Sequence, residues 1–304
     1  MHPKPRSKNA QSPKALASEN PIKAKLACGL YLVSTPIGNL GDFSARGAQT
    51  LNAADLVLAE DTRNTKKLMS AYGVHAPIER ADEEATENAI RKALIVLEKG
   101  GAVAFASDAG TPSICDPGQR LAKAIIESGF EVFPIPGASS LLAALVSSGL
   151  DARQFVFLGF VPNKAGARQA FIENALGLAM TTVMFETGPR LLSSLEVLAQ
   201  FSPNRQIAVA RELTKFFEEK KRGSAAEILH HYQNNGAPKG EIVIVVEGTP
   251  PATAAFDSAA LEAKIIEGLT TEGIKDLSAR LARETGQKKR DIYQLALALS
   301  KGAP

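Results

Sequence analysis

Tryptophan is absent from this 304-residue chain, and cysteine is nearly so. The two cysteines, Cys28 and Cys115, have no paired spacing, which argues against a disulfide framework and is typical of a reducing, cytoplasmic compartment. The four histidines form no metal-ligand spacing with the cysteines, so we expect neither a structural nor a catalytic metal. No apolar run reaches the roughly 18 residues that a membrane-spanning helix needs, so no membrane segment is predicted.

Glycine motifs that bind phosphate are also missing. No G-x-G-x-x-G follows the first predicted strand, because Gly38 and Gly41 give only G-x-x-G. Pro36 stands where a phosphate-cradling loop would need a free amide, and no Walker loop is present. These absences disfavour NAD and ATP as cofactors.

Positive charge is concentrated toward the two ends of the chain, although the net charge is only +3. Residues 1–27 are basic and rich in Pro, Ser, Asn and Ala, which predicts a disordered tail. The basic residues toward the other end are Arg280, Arg283, Lys288, Lys289 and Arg290. Either end suits a polyanion, and ordinary solvated surface charge explains each equally well.

Short apolar strands alternate with amphipathic helices over residues 29–141. This alternation predicts parallel strands in an α/β layer fold, and the second half of the chain continues in an α/β-like pattern. We predict an N-terminal α/β cofactor domain over residues 28–148 and a second α/β domain over residues 149–250. Residues 256–304 are predicted to form a small helical domain that resembles a helix-turn-helix.

Three loops rich in Gly and Pro each follow the carboxyl end of a predicted strand. They span residues 35–39, 107–112 and 136–140. Ligands of open α/β sheets bind at this edge, and Gly and Pro let the backbone approach a ligand while keeping the loop rigid. Asp108 is the only acid in these loops, and it can accept hydrogen bonds from a ribose or a cationic amino group. Any one loop taken alone is better explained as a tight turn, but the shared position of the three favours a cofactor site.

Several ordered motifs along residues 29–300 resemble the ribosomal RNA small subunit methyltransferase I family. They are LYLVSTPIGNL from Leu30, AEDTR from Ala59, SDAGTP from Ser107, DPG from Asp116, PGA from Pro136, FETGPR from Phe185, ARELTK from Ala210 and KGEIV from Lys239. The sequence departs from the family pattern at Ser34, where Pro is usual, and at residues 79–84 and 186–190, where the family carries histidine. These departures argue against a histidine as the base.

The resemblance implies two α/β domains of tetrapyrrole-methylase type, with S-adenosylmethionine in the cleft between them, and a homodimer. It implies methylation of the ribose 2′-hydroxyl of one cytidine in the decoding region of 16S (small-subunit) ribosomal RNA, on free RNA or on the assembled 30S subunit. The cofactor contacts that it implies fall on the three loops and on the second domain. They are Thr35, Pro36, Gly38, Ser107, Asp108, Ala109, Gly110, Thr111, Ile114, Pro136, Gly137, Ala138, Ser139, Phe185, Glu186 and Leu213.

Methyl transfer to a hydroxyl needs precise positioning and a group that takes the proton or stabilises the developing oxyanion. Asp61, Arg63 and Glu186 lie near predicted strand ends and are the candidate catalytic residues. Asp61 is equally explained as a helix N-cap, and Glu186 with Arg190 as a structural ion pair. Arg63 suits an RNA phosphate.

Two other functions remain open from the sequence. One is a methyltransferase of the same fold that acts on a tetrapyrrole or a protein, and the other is a non-catalytic RNA-binding factor. The C-terminal helices carry leucines at core spacing and a basic turn, which suits RNA phosphates or a packing appendage. Only Tyr293 is aromatic nearby, so we predict no base-stacking platform there.

Overall fold

The computed structural model describes residues 26–115, 117–236, 238–249, 258–285 and 289–301. Most of the predicted basic tail and residues 286–288 of the predicted basic turn lie outside the described residues. Within the described part of the chain, every helix is too short or too polar to cross a bilayer.

Strands and helices alternate through the first half of the chain. In chain order they are β1 Gly29–Val33, α1 Ala45–Ala53, β2 Leu56–Ala59, α2 Thr62–Ala71, β3 Ile78–Arg80, α3 Thr86–Glu98, β4 Ala102–Ala106, α4 Gln119–Glu127, β5 Val132–Ile135 and α5 Ser140–Ser148. The strands form one sheet in the order β3-β2-β4-β1-β5, and all of its pairings are parallel. The predicted parallel α/β layer is confirmed.

Side chains of this sheet alternate between two hydrophobic cores, as the period of two along a strand requires. Tyr31 and Val33 face the core that α1 and α2 cover, whereas Leu30 faces the core under α3 and α4. On β4, alanines face the first core while Val103 and Phe105 face the second. Burial on both faces explains why these strands read as continuous apolar runs.

The second half builds a mixed sheet. In chain order its elements are β6 Phe155–Phe160, α6 Ala165–Gly177, β7 Thr181–Thr187, α7 Gly188–Phe201, β8 Gln206–Arg211, β9 Glu219–Ser224, α8 Ala225–Asn235 and β10 Glu241–Val246. The strand order is β6-β7-β10-β8-β9, in which only β6 and β7 pair in parallel. Neither β3 nor β9 was predicted, because both are edge strands with few apolar residues, and β3 has only three residues.

Helix α5 joins the two halves by packing on the second sheet. Leu141, Ala144 and Leu145 of α5 share a core with β7, β8 and β10. Ile37, from the loop after β1, is buried in the same core. The first cofactor loop is therefore fixed against the second sheet as well as the first.

The C-terminal helices are α9 Ser258–Leu269, α10 Ile274–Thr285 and α11 Lys289–Lys301. Their core includes Leu277, Leu281 and Ile292, as their spacing predicts. The described residues separate into two compact units, with both sheets in one and these helices, together with Leu176–Met180, in the other. The predicted boundaries at residues 149 and 256 stay predictions.

Candidate active site

Three adjacent strands bring the three predicted loops together. Because β4, β1 and β5 are neighbours in a parallel sheet, their carboxyl ends lie side by side. Loop 1 (residues 35–39) follows β1, loop 2 (residues 107–112) follows β4, and loop 3 (residues 136–140) follows β5. The order places loop 1 in the middle.

Backbone hydrogen bonds join loop 1 to loop 2. The Thr35 amide donates to the Gly110 carbonyl at 2.9 Å, and the Gly110 amide donates back to Thr35 at 3.1 Å. The Thr35 hydroxyl donates to the Ser107 carbonyl at 3.1 Å. Gly110 has a φ of 81°, a left-handed conformation that favours glycine. Buried Thr35 and Ser107 are thus used for holding the loops in place.

Loop 3 contacts both loop 2 and Ser34, the residue before loop 1. The Ser34 hydroxyl donates to the Thr111 hydroxyl at 3.4 Å, which donates to the Ala138 carbonyl at 3.2 Å. Gly137 lies directly on Ser34, since a β-carbon on residue 137 would be 2.9 Å from Ser34 Cβ. Only glycine allows this close approach of two loops. The three loops therefore form one interlocked surface.

Asp108 is fixed by the end of β2, the strand on the other side of β4. Its carboxylate accepts hydrogen bonds from the Asp61 amide and from Asn64 Nδ2, both at 3.1 Å. Its own amide donates to Glu60 Oε2 at 3.1 Å. The acid that the sequence singled out is therefore held in one orientation, with part of its hydrogen-bonding capacity left for a ligand.

Asp61 and Arg63 form a local pair at the start of α2. The Asp61 side chain caps the helix by accepting from the Arg63 amide at 2.8 Å, as the alternative interpretation of this residue predicted. The Arg63 guanidinium also binds this carboxylate, at 2.6–3.1 Å. Hydrogen bonds from Arg63 hold the pKa of Asp61 down at about 2. Asp61 is thus a permanently charged, weakly basic group.

The pKa of Glu60 is shifted in the opposite direction to that of Asp61. Burial raises its pKa above the ordinary value of 4.5, and the nearby carboxylates of Asp108, Asp82 and Asp61 add to this, against a hydrogen bond from the Asp108 amide. A carboxylate with a raised pKa beside a cleft is suited to accepting a proton. Glu60 belongs to the AEDTR motif, but the sequence did not indicate it as a catalytic candidate.

A cavity of about 220 Å³ opens beside these groups. Loop 1, the start of loop 2 and one face of α2 line it. The lining residues are Thr35, Pro36, Gly38, Leu40, Asn64, Thr65, Lys67, Leu68, Ser107 and Asp108. The residues of α2 were not predicted, although the spacing of Asn64, Lys67 and Leu68 on one helical face was a usable signal.

The second sheet completes this surface with apolar residues. Phe185 and Ala138 pack against the core that contains Ile37 and Leu213. Phe185 is partly buried, and its ring contacts Phe157 and Phe160 edge-on, with centroids 4.8 and 5.3 Å away. The predicted residues Phe185, Leu213 and Ala138 are therefore brought together.

The Glu186 side chain lies on the opposite face of the second sheet from Phe185. Neighbouring side chains on a strand lie on opposite faces, so Glu186 faces α7 whereas Phe185 faces α5. Its buried carboxylate accepts from Ser194 Oγ at 2.5 Å and the Thr187 amide at 2.8 Å, and it pairs with Arg190 at 2.8 Å. These are the contacts of a structural ion pair, the alternative given for this residue. Its catalytic and cofactor roles stay predictions that no contact supports.

Two other predicted cofactor residues have different surroundings. The Ser139 hydroxyl caps α5 by accepting from the Leu142 amide at 3.4 Å. Ile114 is exposed, beside two non-glycine residues with left-handed backbone, Ser113 and Cys115. Neither arrangement tests a contact with a ligand.

Two buried hydroxyls lack a hydrogen-bond partner among the described residues, Ser113 Oγ and Thr214 Oγ1. Thr214 Oγ1 would lie 3.1 Å from a β-carbon on Gly38, so it borders loop 1. Buried polar atoms normally have partners, and an unsatisfied one beside a cavity is consistent with a ligand contact. Within the described ranges, no cluster of three or more His, Cys, Asp or Glu suits a metal.

Comparisons with known proteins define first the class and then the family. The family model of the Tetrapyrrole (Corrin/Porphyrin) Methylases matches residues 29–229. The solved structure of a cobalamin biosynthetic enzyme, cobalt precorrin-4 methyltransferase, aligns with a TM-score of 0.54 at 16% identity, covering 72% of this chain and 94% of that one. Diphthine synthase aligns with a TM-score of 0.53, also at 16% identity, over 72% of this chain and 89% of that one. The fold is that of a tetrapyrrole methylase, which confirms the predicted fold class.

Close relatives narrow this class. A protein of Synechocystis sp. named ribosomal RNA small subunit methyltransferase I is 40% identical over 274 residues, covering 89% of this chain and 98% of the relative. One of the same name from Erythrobacter litoralis is 43% identical, covering 90% and 96%. The chain belongs to the ribosomal RNA small subunit methyltransferase I family and is a methyltransferase.

Proposed function

We propose that this protein transfers the methyl group of S-adenosylmethionine to the ribose 2′-hydroxyl of a cytidine in the decoding region of 16S ribosomal RNA. The names of its relatives, which align along nearly their whole length, support the RNA of the small ribosomal subunit as the substrate. The observation that carries the proposal is the interlocking of three loops beside the fixed carboxylate of Asp108. We place the enzyme in the cytoplasm, as a homodimer acting on free RNA or on the 30S subunit.

The residues present fit S-adenosylmethionine. Asp108 offers a carboxylate to ribose hydroxyls or to the amino group of the methionine part. Gly38 and Gly137 let loops 1 and 3 pack closely on Lys215 and on Ser34, which holds both loops in place around the site. Thr214 Oγ1 supplies an unsatisfied hydroxyl beside loop 1. The apolar surface around Phe185, Leu213 and Ala138 suits an adenine ring. When bound, the cofactor supplies a methyl group on a sulfonium, which is already activated for transfer.

The protein's own contribution is positioning and proton removal. The three loops are tied by hydrogen bonds before any ligand arrives, so little ordering entropy is spent on binding. We assign proton removal to Glu60, because its Oε2 lies 3.1 Å from the amide of Asp108, a residue that lines the cavity, and because burial raises its pKa whereas Arg63 lowers that of Asp61. We assign Asp61 the role of holding Arg63 and orienting Asp108 through its amide.

Cations on α2 support an RNA substrate at this edge. The Arg63 side chain is 85% exposed although it is paired with Asp61, and Lys67 lines the cavity. Arginine and lysine beside a cleft suit phosphates that flank a target nucleotide. The exposed Lys289 and Arg290 of α11 are a second set of candidate phosphate contacts.

Methyl transfer from labelled S-adenosylmethionine tests this function. The acceptors are small subunits that lack the modification, naked 16S RNA, and uroporphyrinogen as an unrelated acceptor. We expect label in an alkali-resistant 2′-O-methylcytidine, with loss of cofactor binding in Asp108→Ala. Label on uroporphyrinogen but on neither RNA would refute the proposal.

Asp151 provides a matched control for this carboxylate chemistry. It accepts from the Arg153 amide and guanidinium at 2.6–3.1 Å, and its pKa is about 2, as for Asp61. Asp151→Ala removes a second Asp-x-Arg pair, which lies beyond the end of α5 and outside the three loops; its arginine is as exposed as Arg63 and its aspartate is more exposed than Asp61. This variant should bind cofactor and transfer methyl at the wild-type rate.

A further inference from the structure

Two phenylalanines stand out on the surface of the second sheet. In the loop between β8 and β9, Phe216 is 94% exposed and Phe217 is 67% exposed. Their rings are 5.0 Å apart and nearly perpendicular, at 88°, so that each keeps ring surface open to solvent. Exposing two large apolar side chains together costs solvation free energy that folding ordinarily avoids, so their display suggests a partner.

The loop holds this aromatic pair (Phe216 and Phe217) in place. Glu212 and Thr214 have left-handed backbone, with φ of 49° and 65°, which non-glycine residues adopt only at a cost. The Lys215 amide donates to Glu212 O at 3.0 Å, and the Glu218 amide donates to Lys215 O at 3.2 Å. Glu218 also accepts from the Thr214 amide at 2.6 Å. The rings are therefore presented by a tightly hydrogen-bonded turn.

The aromatic pair stands next to the candidate active site. A β-carbon on Gly38, which lines the cavity, would lie 2.4 Å from Lys215 Cγ and 3.2 Å from Leu213 O. The residue before Phe216 thus contacts loop 1. A polymer with one nucleotide near Asp108 would have its neighbouring nucleotides within reach of this turn.

The charge around the aromatic pair favours a polyanion. The turn leads into β9, the edge strand of the sheet, whose sequence is EKKRGS. The two carboxylates at this junction are already paired: Glu218, the last residue of the turn, with Lys220, and Glu219, the first residue of β9, with Arg211 at 2.7 Å. Lys221 and Arg222 follow on the same strand. Exposed aromatic rings beside cations are typical of surfaces that bind single-stranded nucleic acid.

We infer that Phe216 and Phe217 form a stacking platform for unpaired bases of the RNA substrate, next to the target nucleotide. This inference rests on the proposed function and adds a binding surface to it. The sequence predicted no base-stacking platform in the C-terminal helices, where few residues are aromatic. The platform that we infer lies in the second sheet instead. Stacking explains why the rings are exposed, presented by a hydrogen-bonded turn and close to cations at the same time.

Steady-state kinetics of the full-length protein on small subunits that lack the modification tests this platform. Stacking of a base on an aromatic ring contributes enough that its removal weakens binding about fivefold to 100-fold. Phe216→Ala with Phe217→Ala should therefore raise KM for the subunit by at least about fivefold, with the cofactor Kd unchanged. Phe216→Leu with Phe217→Leu should do the same, since leucine keeps apolar area but loses the ring. Phe216→Tyr with Phe217→Tyr should stay within about twofold of wild type.

Controls separate this inference from its alternatives. Phe201→Ala removes a 43% exposed phenylalanine of α7 and should leave KM for the subunit and the cofactor Kd unchanged. If the Phe216→Leu, Phe217→Leu variant had the KM of the wild type, stacking would be refuted. If the Ala or Leu variant had a lower molecular mass than the wild type in light scattering, the rings would bind a second copy of the chain instead of RNA. Wild-type methylation of RNA with unchanged KM in every variant refutes the platform alone, whereas no wild-type methylation of RNA refutes the proposed function itself.

Discussion

Gly137→Ala tests directly whether the three loops must interlock to bind the cofactor. An alanine β-carbon would lie 2.9 Å from Ser34 Cβ and 3.2 Å from Ser34 O, whereas ordinary contact begins at 3.4 Å. Ser34 is 4% exposed and follows the fully buried β1 residue Val33, so it has little room to move. Loop 3 must therefore shift by about half an ångström away from loop 1.

The free-energy cost of this shift follows from the size of the added group. Overpacking by one methyl group costs about 1–3 kcal/mol, either in the free protein or when the loops close on a ligand. We expect a lower free energy of unfolding in urea, and a cofactor Kd that rises at least about fivefold in isothermal titration calorimetry, since roughly 1.4 kcal/mol corresponds to tenfold. The hydrogen bond from Thr111 to Ala138 is the contact that this movement strains first.

Gly166→Ala is the matched control. Gly166 lies on the exposed side of α6 with nothing within 4 Å of an added β-carbon, so alanine should stabilise the helix by up to about 1 kcal/mol. Its cofactor Kd should equal the wild-type value. If Gly137→Ala left both the unfolding free energy and the cofactor Kd unchanged, loop 3 would not be held against Ser34 and the interlocked surface would be refuted.

Three further changes probe the charged groups around the site. Arg63→Ala should raise KM for RNA and reduce the slope of log Kd against log salt by about 0.7–0.9, the value of one lost phosphate contact, whereas Arg153→Ala should do neither. Ser194→Ala should lower the free energy of unfolding by about 1–3 kcal/mol, because Glu186 loses a buried donor, without changing the cofactor Kd. Burial raises the pKa of Glu60, so it takes up a proton at a higher pH than an ordinary glutamate. The acidic limb of the kcat/KM profile should therefore lie above 4.5 and vanish in Glu60→Gln.

Each of these has a result that contradicts it. Equal salt slopes in the two arginine variants would remove Arg63 from RNA binding. A cofactor Kd that rose in Ser194→Ala would restore Glu186 as a cofactor contact, as the family resemblance implied. An acidic limb that persisted unchanged in Glu60→Gln would assign proton removal to another group.

The strands of the first sheet and the three loops were predictable because their signals are local. A strand buried on both faces reads as a short apolar run, and the Gly and Pro that follow it mark a loop. The same locality made Asp61 recognisable as an N-cap. Edge strands such as β9 gave no such signal, because a strand with one side in solvent needs little apolar sequence.

Sequence alone therefore determined the class of fold and the positions of the three loops, and it singled out Asp108 as a candidate cofactor contact. Only the tertiary structure decided what surrounds them. Asn64 reaches Asp108 across 44 residues of chain, and Ser34 reaches Thr111 across 77, because β2, β4, β1 and β5 are neighbours in the sheet but not in the sequence. The face of β7 to which Glu186 belongs, and the turn that exposes Phe216 and Phe217, likewise depend on long-range pairing between strands. Local composition fixes which segments become strands and loops, whereas strand order and side-chain direction are set by the packing of the whole sheet.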